Sequence, residues 1–208
     1  MSYARATDAK FPLPVKEILP KVFAFPPNPD SFGGISYLAL LDGRIFMVDV
    51  PEYTDSNLVF IGSNGMPEFV FLTHRDDVAD AERFRQNFGS RLIIHESEKY
   101  AVTRPDITFG ESLEIEGIKI LHTPGHSPGS SCLHCPETRI LFTGDHVVTR
   151  NGKLAVQDFY WTYDYGKQME SARKLLELDF EFILCGHGGR RVVLNAKQEL
   201  KSFLENHG

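Results

Sequence analysis

Four short segments of this 208-residue chain end in side chains that can hold a metal ion. They are Phe-Leu-Thr-His-Arg-Asp-Asp over 71–77, Thr-Pro-Gly-His-Ser-Pro-Gly-Ser over 123–130, Phe-Thr-Gly-Asp-His over 142–146 and Leu-Cys-Gly-His-Gly-Gly over 184–189. Each has an imidazole or carboxylate on a loop at the end of a strand-like run, with glycine or proline close by in the last three. Imidazole nitrogens and carboxylate oxygens are ligands of divalent transition metals. Groups on strand-end loops can converge on one point while rigid strands hold the loops in place. Neighbouring glycines permit tight turns and close backbone approach. One histidine past a strand is more often a packed or solvated residue than a ligand. Four such segments in this order form a pattern.

The elements that must position these loops can be read from periodicity and turn signals. A proline-rich lead-in over 1–30 (Pro12, Pro14, Pro20, Pro26, Pro27, Pro29) surrounds a short strand expected at Lys21–Phe25. Ile35–Leu41 and Arg44–Val50 flank Asp42-Gly43, a strong hairpin signal. Glu68–Leu72 reads as a buried strand that stops at Thr73-His74. A helix is expected from Asp77 to Phe88, with Ala81, Phe84 and Phe88 on one face and Gly89 as its stop. Arg91–His95 is a further strand, and Leu113–Leu121 is a strand pair broken at Glu116-Gly117. Ser130–Cys135 and Arg139–Thr143 form the next hairpin. An aromatic loop (Phe159, Tyr160, Trp161, Tyr163) precedes a helix over Tyr165–Leu176. A strand at Phe182–Cys185 and a helix at Asn195–Glu205 follow. Hairpins first and strand–helix alternation later fit sheets packed between helix layers better than a doubly wound sheet.

With these motifs in this order, the chain resembles the metallo-β-lactamase superfamily, whose pattern is T-H-x-H-x-D-H, then T-P-G-H-T-x-G-S, then T-G-D, then G-H-G. The resemblance runs from Ile35 onward. It implies an α/β fold, a four-layer αββα sandwich with the metal site at one edge of the two sheets, built as a single domain over 1–208. By position it makes His74 and His126 ligands of the first metal, Asp145 the carboxylate shared by two metals and His187 a late ligand of the second. The pattern's second histidine falls on Asp76, for which flavodiiron relatives also carry an acid. Its aspartate and adjoining histidine fall on Val78 and Ala79, which have no lone pair to donate. The metal set expected here is therefore His74, Asp76, His126, Asp145 and His187. One divalent transition metal (Zn, Fe or Mn) is expected at the first site and no second one, because the second site keeps only His187 and a share of Asp145.

Other residues invite plainer readings. Asp77 is expected to be the helix N-cap and Asp80 to sit favourably in the first turn, with ligation by either as the alternative. His95, His122 and His134 fall within strands and read as structural. His146 adjoins Asp145 at a position where the family places no ligand, and Cys185 reads as packing. The aromatic run from Phe159 to Tyr163 could wall a pocket or fill core.

Composition narrows the function. A net charge of −6 argues against a nucleic-acid partner. There is no signal-peptide pattern and no apolar run long enough for a bilayer, so a cytoplasmic address and no membrane partner are expected. Three cysteines are too few, and odd in number, for a disulfide framework. Cys132 and Cys135, three apart on a strand, would face opposite ways, so they read as ordinary small residues, with redox chemistry as the alternative.

Two functional readings follow. One is a metal-dependent hydrolase of a small ester, thioester or lactone. The other is a non-catalytic binding or scaffold protein that kept the fold and lost the two-metal chemistry. Flavodiiron chemistry would need a flavin domain for which the length leaves no room, and tRNA-type nuclease activity fits the acidic charge poorly. Nothing in the chain forces a particular oligomeric state.

Overall fold

The computed structural model describes residues 14–156 and 158–207; the first 13 residues of the proline-rich lead-in fall outside it. Seven strands form the first sheet in chain order. They are β1 (Lys16–Leu19), β2 (Val22–Ala24), β3 (Tyr37–Leu41), β4 (Arg44–Val48), β5 (Phe69–Phe71), β6 (Arg91–His95) and β7 (Ile107–Phe109). The first four strands run antiparallel, and β4 to β7 are parallel neighbours. The β3–β4 hairpin turns at Asp42-Gly43, both with positive φ (46° and 78°), as the sequence signal requires.

The second sheet contains β8 (Ser112–Ile115), β9 (Ile118–His122), β10 (Ser131–Cys135) and β11 (Ile140–Gly144). After the small hairpin β12 (Val148–Arg150) and β13 (Lys153–Ala155), the chain returns as β14 (Phe182–Cys185), parallel to β11 at the sheet edge. The helices are α1 (Asp55–Asn64), α2 (Ala81–Phe88), α3 (Tyr165–Leu175) and α4 (Ala196–His207).

Alternation along the strands builds three apolar layers. Tyr37, Ala39, Phe46, Phe71 and Ile93 of the first sheet meet Ile120, Leu133, Phe142 and Leu184 of the second. On the far side of the first sheet, Leu38, Met47, Val70 and Leu92 pack against Ile61 of α1 and Phe84 of α2. On the far side of the second, Leu141 and Ile183 pack against Met169 and Ala172 of α3 and Leu200 of α4. The result is an αββα sandwich. Cys132 lies in the outer layer and Cys135 in the central one, so the two thiols face opposite sides of β10. All three cysteines are free and buried.

Several boundaries differ from the sequence reading. Helix α1 has weak amphipathicity and a glycine, Gly62, within it, so periodicity does not reveal it; its N-cap Thr54 accepts from the Asn57 amide. The expected helix at Asp77 begins only at Ala81. Residues 75–77 form a separate 3-10 turn, and Asp80 stands at the N-cap without a side-chain capping bond. The capping role expected of Asp77 is therefore wrong, and the side chain is buried instead.

Candidate metal centre

The polar side chains past β5, β11 and β14 and on the β9–β10 connection gather at one edge of the sandwich. Past β5, His74 is buried with its Nε2 3.8 Å from Asp145 Oδ2. On the connection, His126 Nε2 lies 3.9 Å from the same oxygen and 3.6 Å from Asp76 Oδ2. The two imidazole rings meet edge to face, 4.8 Å between centroids. Past β14, His187 Nδ1 pairs with the other Asp145 oxygen at 2.6 Å. Four of the five residues selected from sequence thus face one another directly, and His187 reaches the group through Asp145.

Backbone packing brings the loops this close. A Cβ on Gly144 (φ 50°) would lie 2.2 Å from Thr73 Oγ1, so only glycine lets β11 end against the β5 loop. The Gly186 amide donates to the Gly144 carbonyl at 2.8 Å, and the Ser131 amide donates to the Thr73 carbonyl at 2.9 Å. Across the sandwich, the Tyr37 hydroxyl donates to the Cys185 carbonyl at 2.6 Å.

A second layer of bonds orients His74. Asp49, just past β4, is buried and accepts from the Thr73 amide at 2.8 Å. It also accepts from the Thr73 hydroxyl at 2.9 Å. That hydroxyl has one proton and gives it to Asp49, so it accepts from His74 Nδ1 at 3.0 Å. His74 is thereby held as the Nδ1–H tautomer with its Nε2 lone pair turned to the centre. Asp49 and Thr73 were missed in the sequence. Asp49 follows the apolar strand Arg44–Val48 just as Asp145 follows its own strand, so the same signal was present there.

Burial and charge set the protonation states. Burial pushes His74 down to about 4, which keeps it neutral. Burial opposes ionisation of Asp145, but the His187 bond and the nearby His74 and His126 outweigh it and hold the carboxyl at about 2. Burial also opposes charge on His187, and the Asp145 bond overcomes it, raising the imidazole to about 9. The His126 imidazole, 3.6 Å away, holds Asp76 below the usual carboxylate range.

These residues fit a divalent cation. His74 Nε2 and both nitrogens of His126 are buried with no hydrogen-bond partner among the described residues. His74, Asp76 and His126 present donor atoms all within 4.8 Å of one another, as do His74, Asp77 and Asp145. Bonds of about 2.0–2.2 Å to one ion would place tetrahedral ligands about 3.3–3.6 Å apart. The 3.6–3.9 Å separations here are only slightly wider.

The remaining sequence candidates lie elsewhere. His95 and His122 stack on each other at 3.9 Å, and His134 bonds the Asp179 carbonyl. His146 is the exception: it is buried within electrostatic reach of His126 with neither ring nitrogen partnered among the described residues, and burial pushes it down to about 3. Val78 packs into the outer layer and Ala79 is exposed, so neither of those positions faces the centre. In the aromatic loop Tyr160 is 95% exposed, with Trp161 and Tyr163 half exposed, so the run is not core. The Tyr163 amide donates to the His126 carbonyl at 3.0 Å, which places this loop beside the centre.

Solved structures share this architecture. A DIM-1 metallo-beta-lactamase exposed to ceftazidime superposes with TM-score 0.73 and 18% identity, covering 97% of this chain and 100% of that one. TTHA1623 in a di-iron-bound form superposes with TM-score 0.69 and 20% identity, covering 84% and 96%. An αββα sandwich with imidazoles and carboxylates at one edge is the architecture of metallo-hydrolases. The sequence pattern of the metallo-beta-lactamase superfamily matches residues 47–187, and the chain belongs to that superfamily. It is also 32% identical over 84 residues to the hydroxyacylglutathione hydrolase of Brucella ovis; the match covers 38% of this chain and 33% of the relative. The chain thus spans about a third of the length of the curated relatives it matches. No helix among the described residues is long and apolar enough to cross a membrane.

Proposed function

We propose that this chain is a metal-dependent hydrolase with a reduced, mononuclear centre, acting on a small thioester, ester or lactone. His74, Asp76, His126 and Asp145 hold the ion, and His187 supports Asp145 from the rim. The observation that carries the reading is the buried pair of Nε2 atoms, on His74 and His126, which have no hydrogen-bond partner among the described residues and converge on the Asp145 carboxylate. Buried imidazole nitrogens left without a partner are costly unless something else takes their lone pairs. The partial match to hydroxyacylglutathione hydrolases favours thioesters among the possible substrates.

When bound, a divalent ion supplies Lewis acidity at a carbonyl oxygen and lowers the pKa of water. The chain does the rest. Asp49 and Thr73 keep a proton on His74 Nδ1 and so keep Nε2 available. Asp145 stays ionised through the His187 bond. His187, 26% exposed, is the titratable group at the rim that can carry a proton to or from a bound molecule. Positions 78 and 79 provide no general base, so substrates with good leaving groups are turned over best and β-lactam hydrolysis is slow or absent.

The test is a panel of thioesters, activated esters and lactones, run with chelator and after return of Zn²⁺, Mn²⁺ or Fe²⁺. Turnover that falls with chelator and returns with metal is expected. Equal turnover with and without chelator refutes metal catalysis. No turnover under any metal moves the reading to a binding module, which the absence of donors at Val78 and Ala79 favours.

A further inference from the structure

We propose that Asp77 is an additional ligand of this same centre, carried into it by the 3-10 turn over 75–77. The proposal rests on the metal-binding reading above. The Asp77 side chain is 2% exposed, and neither carboxylate oxygen has a hydrogen-bond partner among the described residues. Its Oδ2 lies 3.9 Å from His74 Nε2. The triad His74, Asp77 and Asp145 and the triad His74, Asp76 and His126 overlap at His74. In the tautomer set by Thr73, His74 offers one lone pair, and one lone pair serves one ion. Both triads draw on that one lone pair, so an ion seated on His74 Nε2 has Asp77 Oδ2 among its neighbouring oxygens.

A buried acid with no hydrogen-bond donor among the described residues can hold its charge only with a cation beside it. The neighbouring chain also keeps space for this group. A Cβ on Gly34 would lie 2.9 Å from Asp77 Oδ2 and 3.1 Å from Oδ1. Asp80 shows the contrast, since it is partly exposed and paired with Arg83 at 3.1 Å. Asp76 is 41% exposed and lies beside Arg75. The inner, dry carboxylate is Asp77. It supplies from position 77 an acid where the family pattern has one at position 78, whose side chain points into the outer apolar layer.

The experiment is metal binding by chelator-stripped protein, with Zn²⁺ and Mn²⁺ titrated in competition with a chromophoric chelator and melting followed with and without metal. Asp77→Asn is expected to weaken binding tenfold or more and to abolish most of the metal-induced rise in Tm. Metal-free Asp77→Asn should melt no lower than metal-free wild type, because a neutral amide replaces an unpartnered buried acid. Gly34→Ala, which presses a methyl group onto the Asp77 carboxylate, should also weaken binding, and Asp80→Asn should not. Binding by Asp77→Asn within twofold of wild type overturns the assignment. So does a metal-free variant that fails to fold, since that would make Asp77 a structural group. If the wild type binds no metal, the proposed function falls with it; equal binding by wild type and variant overturns only the role of Asp77.

Discussion

Replacing Thr73 with valine removes one oxygen and changes little else, because the two side chains have nearly the same shape. That oxygen sits 2.9 and 3.1 Å from the two Asp49 oxygens and 3.0 Å from His74 Nδ1. Its loss leaves Asp49 with only the Thr73 amide among the described residues and leaves the His74 ring free to turn or to change tautomer. Loss of an outer partner of a metal-bound histidine typically weakens metal binding about 10- to 100-fold, which is roughly 1.4–2.7 kcal/mol. Above about pH 7, where Asp49 is ionised, the metal-free protein should also become less stable by about 1.5–3 kcal/mol, the usual worth of a hydrogen bond to a charged group. Competition with a chromophoric chelator measures the first effect, and urea unfolding of stripped protein the second. Thr73→Ser keeps the hydroxyl and should recover most of the metal affinity. If Thr73→Val binds metal within twofold of wild type while the chain remains folded, the relay from Asp49 to His74 does not govern the centre.

Two further outcomes follow from the same geometry. His126→Ala should lower metal affinity more than His187→Ala, because His126 Nε2 faces the other donors while His187 is bonded to Asp145; elemental analysis after dialysis gives the ranking, and the reverse order would place the ion around His187. The metal-free protein should lose stability as pH rises from about 6.5 to about 9. His187, raised from 6.5 to about 9 by Asp145, sets this window; burial raises Asp49 from 3.8 to about 7, so its share is lost mostly below it. A group whose folded pKa lies above its unfolded value contributes stability below the unfolded pKa and loses it as pH climbs through the folded one. Thermal melts of stripped protein at pH 6.5 and 9 check this, and a higher Tm at pH 9 would contradict it.

Strands with strong local signals were legible in the sequence, among them the Asp42-Gly43 hairpin, Arg91–His95 and Phe182–Cys185. Helix α1 was not, because its apolar residues do not line up on one face, and neither were β7 and the β12–β13 hairpin, short strands of three residues each. The four strand-end motifs were enough to bring His74, Asp76, His126 and Asp145 into one group. The alignment of residues 76–79 with the family pattern was less informative. A motif records spacing along the chain, whereas a 3-10 turn decides which of several adjacent acids points inward. Asp77 therefore looked like a helix cap, and only its burial without partners shows that it faces the centre. Asp49 escaped for a different reason: it touches no other candidate directly and acts through Thr73, a contact that exists only once β4 and β5 are side by side.

The proposed donors come from both halves of the sandwich. His74, Asp76 and Asp77 follow β5 of the first sheet, while His126 and Asp145 follow strands of the second. An ion held among them would tie the two sheets together at their open edge, beside the Tyr37 hydroxyl bond that already joins them. The sheets could then separate only after the ion was released. Its effect would fall mainly on the unfolding rate, since contacts made late in folding slow escape from the native state without hastening arrival. Such a centre would act as a kinetic latch, extending the lifetime of the folded chain by a factor that depends on free metal concentration.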